Sequence, residues 1–168
     1  MIETRPIQEQ DHTGILALTE ALPEWFNADA RRRAIPTDLL HQHGFVALSD
    51  GDIVGFMTLF FADGRLNIGW LGVRPDCQKN GIGTRLLACA EEFGRRQGVT
   101  EIATYTLGES VDYEPYERSR KFYFKQGFTI YQRCTTDNPG CPEEIKIKKQ
   151  IAQPTSAGDV ATRAAPEK

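Results

Sequence analysis

Apolar and polar positions alternate loosely over residues 2–7, which predicts an edge strand containing Pro6. From Asp11 the spacing lengthens, and Ile15, Leu16, Leu18 and Thr19 predict a helix that stops before Pro23. A second amphipathic run over residues 27–40 is expected to be interrupted near Pro36. Trp25 and Phe26 lie between the two helices, either as core plugs or as the wall of a pocket. Three strand-like runs follow, at residues 44–48, 53–61 and 66–73. Asp50-Gly51 and Asp63-Gly64 join them with a strong short-range hairpin signal, so the three form an antiparallel meander.

At Gly81 the period changes. Ile82, Leu86, Leu87, Ala90 and Phe93 recur at helical spacing, and Gly98 ends the run as a C-terminal glycine does. A strand at residues 101–107 completes a strand–helix–strand unit, whose two strands must lie parallel. An acidic loop (residues 108–115), a short helix (116–126) closed by Gly127, and strands at 128–134 and 144–151 around a turn at 137–140 complete the pattern. Pro, Thr, Ser, Ala and Gly dominate from Gln153 onward, which predicts a disordered tail. The expected organisation is one domain over residues 1–152 and a tail over 153–168. The fold class is α+β, a mixed and mostly antiparallel sheet flanked by helices.

Composition narrows the function classes. The 168 residues carry 40% apolar and 26% charged side chains and a net charge of −3, ordinary for a soluble globular protein. That balance lacks the basic face of a nucleic-acid binder, and Arg31-Arg32-Arg33, the one tight basic run, reads as a solvated helix end. No apolar run approaches a membrane span, and Glu3, Glu9 and Asp11 replace the basic-then-apolar start of a signal peptide, so a cytoplasmic location is expected. Cys77, Cys89, Cys134 and Cys141 are scattered without paired His, which argues against a metal site; Cys134 and Cys141 could meet across a hairpin.

The chemistry concentrates at the start of the second half. A helix N-terminus presents unpaired N–H groups and a partial positive charge, and is a ready anion site. Gly81 and Gly83 remove side chains there, while Gln78, Lys79 and Arg85 add an amide and two positive charges. The Walker loop and the dinucleotide fingerprint are both absent. Gln78-Lys79-Asn80-Gly81-Ile82-Gly83 instead matches Q/R-x-x-G-x-G/A, the signature of the GNAT superfamily of N-acetyltransferases. Residues 119–128, with Phe122-Tyr123 and Gly127-Phe128, resemble that family's second signature. The resemblance covers roughly residues 2–151.

It implies a GNAT-like fold with a βαβ coenzyme-binding core and acetyl-CoA as cosubstrate. It places the pyrophosphate on the backbone of Gln78, Lys79, Asn80, Gly81, Ile82, Gly83 and Thr84. It places the pantetheine arm along Leu71, Gly72 and Val73, with Ser119 and Phe122 completing the coenzyme site. Tyr123 falls where relatives keep a tyrosine beside the coenzyme sulfur, so it is the expected proton donor to the departing thiolate. Two positions depart from the family pattern. Gly69 stands where many relatives carry a strand glutamate as base, and Tyr116 where many carry asparagine. Glu109 and Glu114 are the replacement candidates for catalytic base. Asp112 and Tyr116, with Trp25 and Phe26, are the candidate acceptor pocket.

The expected activity is acetyl transfer to a primary amine by direct attack in a ternary complex. The acidic, aromatic loop points to a small cationic acceptor. Two alternatives fit the same residues: a protein lysine or N-terminal acetyltransferase, and a non-catalytic acyl-CoA-binding module. Relatives often form homodimers, and the oligomeric state is left open by the sequence.

Overall fold

The computed structural model describes residues 1–154; the expected tail beyond Pro154 lies outside the described residues. Seven strands form one sheet in the order β1-β2-β3-β4-β5-β7-β6. They are β1 (Ile2–Pro6), β2 (His43–Ser49), β3 (Asp52–Ala62), β4 (Arg65–Val73), β5 (Glu101–Leu107), β6 (Thr129–Thr135) and β7 (Glu143–Gln150). The four α-helices among the described residues are α1 (His12–Glu20), α2 (Ile35–Leu39), α3 (Ile82–Arg96) and α4 (Glu114–Lys125).

Strands β2 to β4 form the expected meander. Asp50 and Asp63 take φ values of 52° and 52°, with Gly51 and Gly64 at 90° and 70°, so both two-residue turns have the left-handed geometry that matches strand twist. Two cores flank the sheet. On one face Ile15 and Leu18 of α1 and Ile35 and Leu39 of α2 pack on Val46, Leu48 and Phe56. On the other, Leu86, Leu87 and Ala90 of α3 and Tyr123 of α4 pack on Met57, Leu66, Ile102, Ile145 and Ile147. Each fully buried aliphatic side chain contributes about 1.5–3 kcal/mol, which is what holds helices on both faces.

Pro36 does not interrupt the second helix. Residues 28–39 are continuous because a π turn, Ala30–Ala34, opens the ladder one residue before it. The Ile35 N–H reaches back to the Ala30 carbonyl, so the proline ring meets a widened turn instead of a tight i−4 carbonyl. The Asn27 carboxamide caps this helix by accepting the Ala30 N–H at 2.8 Å. The arginine run sits within the helix, where Arg31 pairs with Glu20 and Arg33 with Asp29.

Two features open the middle of the sheet. Parallel strands β4 and β5 pair only at Leu66–Ile102 and Asn67–Ala103. Beyond that point β4 carries a bulge, with Met57 opposite Leu71 and Leu59 opposite Ile68, so that Gly69 and Trp70 together face Thr58. A bulge bends its strand, and here β4 leans away from β5 and leaves a split. The chain order at the far end was not legible in the sequence: β7 inserts between β5 and β6, running antiparallel to both.

Candidate active site

The split is the mouth of a cleft of about 860 Å³. Its backbone polarity follows from strand periodicity. The Arg74 N–H donates to the Val54 carbonyl at 2.9 Å, so Arg74 and Gly72 face β3. Leu71 and Val73 therefore turn their N–H and C=O groups toward the open edge. The Val73 carbonyl accepts the side-chain amide of Gln78 at 3.1 Å, so Gln78 braces the strand instead of standing free for an anion.

The cleft runs to the start of α3. The N-cap is Gly81 at φ 77°, Lys79 before it has φ 64°, and no side chain of the described residues caps the helix. The first helical rung is Arg85 N–H to Gly81 carbonyl, 3.0 Å, which leaves the N–H groups of Ile82, Gly83 and Thr84 for a ligand. The two glycines divide their roles. A side chain at Gly81 would meet nothing within 4 Å, so this position is open to an incoming group. A Cβ at Gly83 would lie 3.2 Å from the Phe122 ring, so Gly83 is the seat for α4. Gln126 ties the end of α4 to the Thr84 hydroxyl at 3.0 Å.

Tyr123 lines the cleft from α4 and is 7% exposed. Burial pushes its phenol well above the ordinary tyrosine value, opposed in part by the Thr104 hydroxyl, so it stays protonated. The Thr106 hydroxyl, on the same face of β5, is buried without a hydrogen-bond partner among the described residues. An uncapped helix start, an open strand edge and an orphaned hydroxyl in one cleft fit a long phosphate-bearing molecule with amide groups along its arm.

Trp25 roofs the cleft. Its indole N–H donates to the Pro115 carbonyl at 3.2 Å and the Ser119 hydroxyl at 3.1 Å, and the Arg118 guanidinium lies 4.8 Å over its ring. The Tyr113 hydroxyl donates to the Glu24 carbonyl at 3.0 Å. The segment between α1 and α2 is thus fastened to the start of α4. Phe26 resolves the other way: it is 3% exposed and packs on Phe56 and Trp70, with one face still on the cleft.

The structure brings Leu71, Gly72, Val73, Gln78, Lys79, Gly81, Ile82, Gly83, Thr84, Ser119, Phe122, Tyr123, Trp25, Phe26 and Tyr116 together in this cleft. It does not bring the candidate carboxylates there. Glu109 pairs with Arg133 at 2.8 Å and Glu114 with Arg118 at 2.7 Å, while Asp112 and Asn80 are exposed outside it. Among the described residues no Asp or Glu lines the cleft. The space of a strand side chain at Gly69 is taken, because a Cβ there would lie 2.5 Å from Gln42 Oε1 and 2.8 Å from Thr58 Oγ1. Sequence reasoning missed Thr104, Tyr105 and Thr106, Trp70, and Cys141 on the loop before β7. The alternation of β5 could have flagged its threonines; the loop's approach has no local signal. All four cysteines are free thiols.

A sequence model of the Acetyltransferase (GNAT) family matches residues 12–128. The chain belongs to the GNAT acetyltransferase family. It is accordingly an acyltransferase, and solved structures share its fold. A GNAT-family acetyltransferase structure from Desulfovibrio desulfuricans superposes with a TM-score of 0.78 at 22% identity, covering 90% of this chain and 100% of that one. An aminoglycoside 6′-N-acetyltransferase complexed with coenzyme A gives 0.72 at 17%, covering 90% and 98%. The PaiA N-acetyltransferase of Thermoplasma acidophilum, in complex with coenzyme A, gives 0.70 at 18%, covering 89% and 99%. The GNAT fold is thus the seven-stranded mixed sheet described above. No helix among the described residues is long and apolar enough to cross a membrane.

Proposed function

We propose that this GNAT protein transfers the acetyl group of acetyl-CoA to a small primary amine by direct attack in a ternary complex. The carrying observation is the continuous path from the uncapped start of α3, along the open edge of β4, to the buried phenol of Tyr123. Acetyl-CoA supplies the acetyl group as an activated thioester. Ile82, Gly83 and Thr84 offer N–H groups to its pyrophosphate, with Lys79 beside them. Leu71 and Val73 offer backbone groups to the arm, and their N–H groups are the donors available to an oxyanion. Tyr123, neutral because it is buried, gives its proton to the leaving sulfur. The base role considered for Glu109 and Glu114 draws no support from their placement, and neither does a cationic acceptor held by Asp112. The Trp25 roof favours a small acceptor over a lysine on a protein surface.

The test is calorimetric titration of acetyl-CoA into wild type, Gly81→Ala and Gly81→Glu, followed by thiol release with an amine panel. Gly81→Ala carries only the backbone strain, about 1–2 kcal/mol; Gly81→Glu adds a carboxylate at the anion site. Binding retained in Gly81→Ala and lost in Gly81→Glu places the anion at α3. Absence of binding to folded wild type would overturn the reading.

A further inference from the structure

We infer that the acceptor is an aromatic primary amine. This rests on the acetyltransferase reading above. Trp25, Trp70, Tyr105 and Tyr116 all line the cleft, with Asp38 acting on both Trp70 and Tyr105, and Tyr105 acting on Tyr116. Trp70 is held in one orientation: its indole N–H donates to Asp38 at 2.7 Å, and its ring meets Phe26 edge-on at 6.0 Å. Tyr105 projects from β5 on the face opposite the buried Thr104 and Thr106 and is 60% exposed, a large aromatic surface in a cleft wall. Aromatic rings offered on several sides suit a flat apolar ligand.

The cleft is lined by Lys79, Arg118, Lys121 and Lys125, of which Arg118 pairs with Glu114 and Lys121 with Glu117. The charges that act on Tyr105 are carboxylates: Asp38, which also accepts the Trp70 indole N–H, and Glu144 of β7. Cys141 contributes a thiol that burial keeps protonated. The rings, more than the lining charges, are what this wall offers an acceptor.

The step then balances. The amine lone pair forms the C–N bond as the C–S bond breaks. Tyr123 gives its proton to sulfur, and the surplus proton on nitrogen returns to Tyr123 through solvent.

The experiment compares phenethylamine and spermidine. Thiol release is read with each amine, and tryptophan quenching is read with the protein saturated with CoA. Phenethylamine should exceed spermidine in kcat/KM by about tenfold or more, and Tyr105→Ala should remove about tenfold through KM while Tyr105→Phe retains activity. A preference for spermidine would overturn the inference. Should coenzyme bind but no amine release thiol, the transferase reading falls separately. Quenching by phenethylamine and not spermidine would still support the aromatic site, and its absence would sink it.

Discussion

The indole N–H of Trp25 donates to the Ser119 hydroxyl at 3.1 Å across 94 positions of sequence, joining the segment after α1 to the helix that carries Tyr123. One side chain thereby fastens the segment after α1 to the start of α4 beside the cleft.

Trp25→Phe keeps the ring and removes the donor to Ser119 and Pro115. Losing these bonds is worth about 1 kcal/mol, so KM for the amine should rise roughly fivefold with kcat less affected. Steady-state kinetics with saturating acetyl-CoA checks this; unchanged amine kinetics would remove Trp25 from the pocket wall.

Gly69→Ala should lower Tm, because the added methyl meets Gln42 Oε1 and the buried Thr58 hydroxyl. Overpacking of this kind costs about 1–3 kcal/mol. Pairing it with Gln42→Ala should recover part of the loss, since the clash is shared. Thermal unfolding of the two single variants and the double variant decides it, and strict additivity would mean that Gln42 does not fill the slot.

Tyr123→Phe should reduce kcat by about a hundredfold, the contribution of a placed general acid, while acetyl-CoA still binds. Its phenol is raised in the folded state by burial. That contribution to stability is fully present below the ordinary tyrosine pKa and is lost as pH rises toward the folded value. Alkaline unfolding, followed by circular dichroism, should therefore begin at higher pH in Tyr123→Phe than in wild type.

Asp11 sits at the junction of β1 and α1, gripped by both Arg5 nitrogens at 2.6 and 2.8 Å and by the Gln8 N–H at 2.8 Å. The Arg5 guanidinium, opposed by burial, holds its carboxyl below the usual range. The lowered value means stability present above the unfolded Asp pKa and lost as pH falls through the folded one. Asp11→Asn should cost about 1–3 kcal/mol at neutral pH and flatten the acid arm of the stability profile measured by urea unfolding.

The hairpins at Asp50-Gly51 and Asp63-Gly64, the apolar face of α3 and the glycine loop before it were legible because each depends on residues adjacent in sequence or one turn apart. Pro36 misled, because the π turn that accommodates it leaves no mark in the hydrophobic period. Glu109 and Glu114 were candidates because they lie near the second signature in sequence; in space they pair with Arg133 and Arg118, and neither lines the cleft.

Local periodicity and a short motif were enough to specify the elements, the family and the glycine turn at Gly81. The position of β7, the separation of β4 and β5, and what fills the space at Gly69 came from the folded chain alone, as did the meeting of Trp25, Trp70, Tyr105 and Tyr116 in one cleft. Those outcomes depend on strand pairing and packing between residues far apart in the chain, for which no local pattern encodes the partner.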